Sequence, residues 1–384
     1  MESSIRRIRR PVKREDAQHY LMLTLVSFAA SVILIRLFLE LSGYPQVGGG
    51  ELHIAHLLWG GLLLFVASLL TVLLANRWVF TVGALLAGVG IGLFIDEVGK
   101  FITQRNDYFY PAAAPIIYAF FLLTVLLYLQ VRRPRPRDAR AELYRALESF
   151  EEILDRDLNP QERANLDARL QWIIHQDDHT DITRLARALR AFLSSEALYL
   201  APYSPGVLGW FFQRVRAYAA RWVTLRRLKV AVVGGLGVLG LGGVLSSLAL
   251  LIGVALAPQS VEISQAVSGP GADTRTVPLE SLEFSTLVWV LGALALRGFV
   301  SLLLVVAVIL LILGWEQKGA VLGYFGLLLS LTIVGLPNFY FSQFGAIVGT
   351  VMQFGLLLGV IQYRRRYLIS ESNGDRSLSH DYGR

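Results

Sequence analysis

The stretch Val79–Phe101 reads VFTVGALLAGVGIGLFIDEVGKF, and its first 17 residues offer only apolar side chains, glycine and one threonine. A helix needs about 20 such residues to cross the hydrocarbon core of a bilayer. The segment therefore reads as a membrane span that closes on adjacent carboxylates, Asp96 and Glu97, with Lys100 one turn later. The apolar run decides the fold, and its polar end marks the place to look for function.

Composition agrees with the first point. Hydrophobic residues make up 54% of the 384 and charged residues 17%, against about a quarter charged in ordinary soluble domains. The formal charge of +7 would suit nucleic acid, but the basic residues bunch beside apolar runs, as juxtamembrane anchors do. No nucleic-acid partner is expected; membrane lipids are. There is no cysteine, which excludes disulfides, thiolate metal sites and cysteine nucleophiles. The missing cysteine, together with the lack of Asn-x-Ser/Thr sequons, points to a bacterial source. The apolar run at Tyr20–Leu41 is too long for a signal-peptide core and reads as an uncleaved first span.

The expected fold is all-α, a polytopic transmembrane helix bundle. Eight spans fit, at about 20–41, 52–75, 79–101, 113–131, 229–257, 285–314, 319–336 and 340–363. Pro337-Asn338 reads as the turn joining the last two. Basic clusters precede the first span (Arg6 to Arg14), follow the fourth (Arg132–Arg137), precede the fifth (Arg226, Arg227, Lys229) and close the eighth (Arg364–Arg366). With an even number of spans, all four fall on one side. This is the cytoplasmic side of the plasma membrane, with both termini there.

The expected organisation is a four-span membrane domain (1–131), a cytoplasmic helical domain (132–204), an interfacial amphipathic helix (205–228), a second four-span domain (229–363) and a disordered tail (364–384). In the helical domain, Leu143, Leu147, Phe150 and Leu154 recur at helical spacing. Asn159-Pro160 supplies an N-cap and N1 pair. Thr180 is a candidate cap for a third helix carrying Ile182, Leu185, Leu189 and Phe192. Residues 134–204 are the candidate surface for a cytoplasmic protein partner. Polar positions in the two four-span halves do not correspond, so no internal duplication is expected.

The topology places the end of the third span and the start of the second, ELHIAHLLWGG, on the outer side. His53 and His56, three apart, share a helical face. His56 and Asp96 lie about 6–8 Å inside the outer boundary at about 1.5 Å per residue, with Arg36 and Glu40 at similar depth. The loop QRNDYFYPAAAP adds Asp107, Tyr108 and Tyr110. Two imidazoles and one or two carboxylates suit zinc, or iron or manganese with open positions. The candidate ligands are His53, His56 and Asp96. Glu97 is the candidate base for a metal-bound water, and Lys100 or Tyr108 would stabilise developing negative charge. The bland alternative is an ion pair between Asp96 and Lys100 at i,i+4 spacing within a structural network. Gly83, Gly88, Gly90 and Gly92, with Gly60 and Gly61, would let the second and third spans approach closely.

These stretches, a His motif opening one span, GVGIGLFIDEVGKF closing the next and NDYFY following, resemble a group of uncharacterised prokaryotic integral membrane proteins. The resemblance covers about Glu51–Tyr118 and implies a shared site location but no activity; Ala55 precedes His56, where that group often has adjacent histidines. Two further polar features stand apart: HQDDHTD at His175–Asp181, which reads as a helix-to-helix turn or a weak metal cluster, and Arg297 within the sixth span, with Glu280 or Glu283 as possible partners. Three function classes fit: a metal-dependent membrane enzyme acting on a lipid-like substrate at the outer leaflet, a non-catalytic scaffold or sensor working through the helical domain, and an ion or small-solute transporter. Below Asp96 the third span holds only apolar residues, glycine and Thr81, which disfavours a transport path.

Overall fold

The computed structural model describes residues 11–43, 55–104, 110–133, 136–176, 181–195, 198–202, 214, 224–256, 262–266, 274–278 and 284–381. Among these, eight helices are long and apolar enough to cross a membrane. The helices are α1 (Ala17–Ser42), α2 (His56–Leu73), α3 (Arg77–Asp96), the short α4 (Val98–Ile102) and α5 (Ala113–Arg132). Then come α6 (Ala139–Leu154), α7 (Pro160–Ile174) and α8 (Asp181–Leu193). The remainder is α9 (Leu225–Leu256), α10 (Phe284–Ile312), α11 (Glu316–Leu329), a π-helical turn (Ser330–Val334) and α12 (Gly335–Asp381). Between α9 and α10 lies an antiparallel hairpin, β1 (Glu262–Ala266) with β2 (Thr274–Pro278), in which Ser264 pairs with Thr276. It is an addition to the helical class expected from sequence. Val261-Glu-Ile-Ser alternates apolar and polar residues, and Gly269-Pro-Gly separates the strands, which is the pattern a hairpin needs.

The chain forms two compact units. The first comprises residues 1–35, 56–94 and 123–212. Its part outside the candidate spans is the α6–α8 bundle, cored by Leu143, Ala146, Leu166, Leu170, Ile173 and Ala186. Asn159 caps α7: its side chain accepts from the backbone N–H groups of Gln161 and Glu162, and Glu162 accepts from Asn159 N–H in return. This reciprocal box satisfies three N–H groups that the first turn leaves without helical partners, and Pro160 fits N1 because its missing donor costs nothing there. The apolar stripes are wider than this core covers, since Leu147, Leu154, Leu185 and Phe192 are exposed. Thr180 and most of the 205–228 segment lie outside the described residues.

In the same unit the glycines of α3 serve two neighbours. A Cβ on Gly90 would meet Gly60 O at 2.9 Å, and one on Gly60 would meet Phe94 N at 2.7 Å. Gly88 and Gly92, however, face α1, where a Cβ would run into Ser27 and Ser31. Only part of the run therefore faces the second span as expected. Gly61 has nothing near it.

The second unit comprises residues 36–55, 95–122 and 213–384. Leu228, Val232 and Leu236 of α9 pack with Leu304 and Leu311 of α10, Leu327 of α11 and Val360 of α12. Helical backbone runs from Gly335 to Asp381, so the tail expected to be disordered is helical as far as Asp381. Tyr363 nevertheless donates to Glu316, and Ser330 donates to Gln353 at 2.9 Å. A straight helix would hold these partners far apart, so the chain must double back near Tyr340, close to the expected turn at Pro337-Asn338. At the other end of this hairpin Lys229 joins Glu316, tying α9 to α11 and α12.

Candidate functional site

Helix α3 stops at Asp96. Glu97 breaks it with φ −88° and ψ 9°, a bridge conformation, before α4 resumes at Val98. The break turns the two adjacent carboxylates toward different partners. Arg36 Nε on α1 donates to Asp96 Oδ1 at 2.5 Å, with both side chains buried. Lys100 Nζ meets Glu97 Oε1 at 2.7 Å, and Glu97 is only 1% exposed while the lysine is partly open. The expected i,i+4 pairing of Asp96 with Lys100 is thus replaced by an i,i+3 pair and a cross-helix pair. The reason is the break itself, which re-aims Glu97 rather than Asp96 at the lysine.

Each buried carboxylate carries a cation at hydrogen-bond distance. A lone charge buried at such a site is strongly penalised, whereas a matched pair is tolerated. Of the other candidates, His56 is half-buried at the start of α2 and belongs to the first unit. His53, Asp107 and Tyr108 lie outside the described residues. Among the described residues, no three His, Asp or Glu side chains gather closely enough to hold a metal ion. His175 closes α7, its Nδ1 2.7 Å from Gln171 O, while residues 177–180 of the HQDDHTD turn lie outside the described residues.

A polar cluster that sequence reading had not singled out joins α6 and α7 to the ends of the first spans. Arg169 of α7 holds Glu15 with two N–H groups, one at 2.6 Å, and Ser149 donates to the same carboxylate at 3.1 Å. Burial raises the Glu15 pKa, but the Arg169 hydrogen bonds and charge outweigh it and hold the carboxyl below its ordinary range. Arg77, opening α3, bridges Asp16 and Glu152. Asn76 donates to both carboxylate oxygens of Asp155 at 3.1 and 3.2 Å. The segment before α1 and the α2–α3 loop are thereby tied to α6 and α7. The signal was present as REDAQ and ANRW, charges at span boundaries, but it was indistinguishable from ordinary anchors.

A second feature lies in the other unit. Tyr118 of α5 donates to Leu331 O at 2.5 Å, inside the π turn, and stacks on Phe339 at 4.4 Å between ring centroids. A π turn shifts the helical bonding register, and the phenol supplies a donor to one of its carbonyls. Nearby, Arg297 lines a cavity of about 370 Å³ with Ser301, Ser330, Asn338 and Gln353. Glu280 and Glu283, its expected partners, lie outside the described residues. The cavity offers a guanidinium, amides and hydroxyls within a candidate span, where an ionisable side chain is expensive unless it faces such polar surroundings.

Comparison with family models, with curated proteins and with solved structures finds no match to this chain. The class therefore rests on the fold: with eight helices among the described residues long and apolar enough to cross a bilayer, this is a multi-pass helical membrane protein.

Proposed function

We propose that the protein is a non-catalytic membrane scaffold or sensor, in which the helical domain of residues 132–204 is coupled to the ends of the first spans and Arg36, Asp96, Glu97 and Lys100 form a structural clasp. The observation that carries this reading is the ionic junction of Glu15–Arg169, Asp16–Arg77–Glu152 and Asn76–Asp155. Such a junction transmits a change in span position to the domain, because its partners come from both. The exposed Leu147, Leu154, Leu185 and Phe192 favour a protein partner on the domain. The basic span flanks favour placing that domain in the cytoplasm, at the plasma membrane.

The metal-dependent enzyme is the reading this one displaces. Asp96 and Glu97, the carboxylates it would use, are already engaged by Arg36 and Lys100. Two measurements on detergent-purified full-length protein decide between them. Hydrogen exchange across Ala139–Leu193 should rise when Arg77→Gln cuts the junction, with the core amides of α10 unchanged. Elemental analysis should find no stoichiometric metal that Asp96→Asn removes. Bound metal lost in that variant would overturn the scaffold reading in favour of the enzyme.

A further inference from the structure

Where the helical domain meets the first and fourth spans, the first unit encloses a half-open cavity of about 560 Å³. Seven cationic side chains line it against two carboxylates, Glu15 and Glu142. Both carboxylates are already engaged, Glu15 by Arg169 and Glu142 by Arg145 and Arg169. Arg14 is bound to Glu148 at 3.1 Å. Among the described residues, no carboxylate pairs with Arg132, Arg133 or Arg137. The excess positive charge therefore faces the cavity.

Local structure holds these like charges together. Arg132 ends α5, where the negative end of the helix dipole favours cations. Lys13 donates to Val131 O at the same helix end. Arg137 lies over the ring of Trp172, 5.7 Å from its centroid, an arrangement that fixes a guanidinium while leaving its N–H edge available. The level is set by sequence: α5 is a candidate span ending at Arg132, and Lys13 and Arg14 directly precede the one beginning at Ala17. The cavity thus opens at the height of a membrane surface.

We infer that this cavity binds a phosphate-bearing anion, the group that a cluster of guanidinium forks matches in charge and geometry. Its position suits the headgroup of an anionic phospholipid, and a soluble phosphate compound presents the same chemistry. The inference stands on the cavity alone and goes beyond the coupling role proposed above.

The test uses full-length protein in neutral detergent, with thermal stability read against added short-chain phosphatidylglycerol, phosphatidylcholine or inorganic phosphate. A ligand that binds only the folded state raises the midpoint saturably. Phosphatidylglycerol should do so and phosphatidylcholine should not. The Arg132→Gln/Arg137→Gln variant should bind about 25-fold more weakly, at about fivefold per charge removed. Arg226→Gln, which removes a span-flanking charge outside the cavity, should bind as wild type. Should the double glutamine variant fail to fold, Arg132→Lys/Arg137→Lys keeps the charge but loses the forks, and it should bind more weakly than wild type. A shift from inorganic phosphate with the same dependence on these variants assigns the site to a soluble ligand; a shift from the lipid alone assigns it to a headgroup. No saturable shift from either, or equal weakening by Arg226→Gln, would overturn the inference and leave only general attraction to a charged surface.

Discussion

Arg36 and Asp96, 60 residues apart in the chain, form one buried ion pair across α1 and the end of α3, with side-chain exposures of 5% and 0%. Removing one member of such a pair strands a charge in a poorly solvated place, which costs about 3–5 kcal/mol. Arg36→Met and Asp96→Leu should each destabilise the protein by that amount. Together they should cost clearly less than the sum, because no lone charge is left. Denaturant titrations of all four proteins in one detergent would show it; strict additivity would mean that the two side chains do not act as a pair.

Substitution at the glycines of α2 and α3 should depend on which face each occupies. Gly92→Leu drives a side chain into Ser31 and Phe28 of α1, and overpacking of this kind costs about 1–3 kcal/mol or more. At Gly61 an added Cβ meets nothing within 4 Å, and Gly61→Leu should be neutral or slightly stabilising. Equal losses at both positions in thermal melts would contradict the packing described.

Tyr118→Phe removes a buried donor from the Leu331 carbonyl. Loss of a buried hydrogen bond that leaves its partner unsatisfied costs about 1–3 kcal/mol. The effect should be local, with faster amide exchange around Ser330–Val334 and unchanged exchange in the α6–α8 bundle. Unaltered exchange in the π turn would remove the phenol from its support.

The ionic junction should loosen in acid. The Glu15 carboxyl is held below its ordinary value near 4.5 by Arg169 and Ser149, although burial opposes this. A group whose folded-state pKa is depressed adds stability that is complete above its unfolded value and lost as pH falls through the folded one. The facing groups Glu142, Asp16, Glu148, Arg77 and Arg169 share the junction. Exchange protection of the Glu15 segment should therefore hold from neutral pH down to about 4.5 and fall below it. In Glu15→Gln the drop should shrink; an identical profile would place the acid sensitivity elsewhere.

The span positions were legible because hydrophobic length is a direct physical requirement of the bilayer. The cap at Asn159-Pro160 was equally readable, since its geometry is local. Arg36 could be placed at the depth of Asp96 by counting residues, but which cation each carboxylate takes depended on a helix break at Glu97 that no residue type announces. The glycines signalled close approach without saying to which neighbour, because Gly88 and Gly92 differ from Gly90 only in helical phase. The π turn left no trace at all: SLTIV is as apolar as any ordinary helical turn, and only Tyr118, 213 residues from Leu331, marks it. Long-range pairing is settled by tertiary packing, which a linear pattern does not encode.

The seam beneath the α6–α8 bundle has one more consequence. The bonds described there run between charges and amides, so separating the two surfaces uncovers groups that water solvates readily. Undocking and redocking are therefore expected to be reversible and responsive to salt, where an oily seam would clump once opened. A seam of this chemistry would let the helical domain leave its seat and return without aggregating.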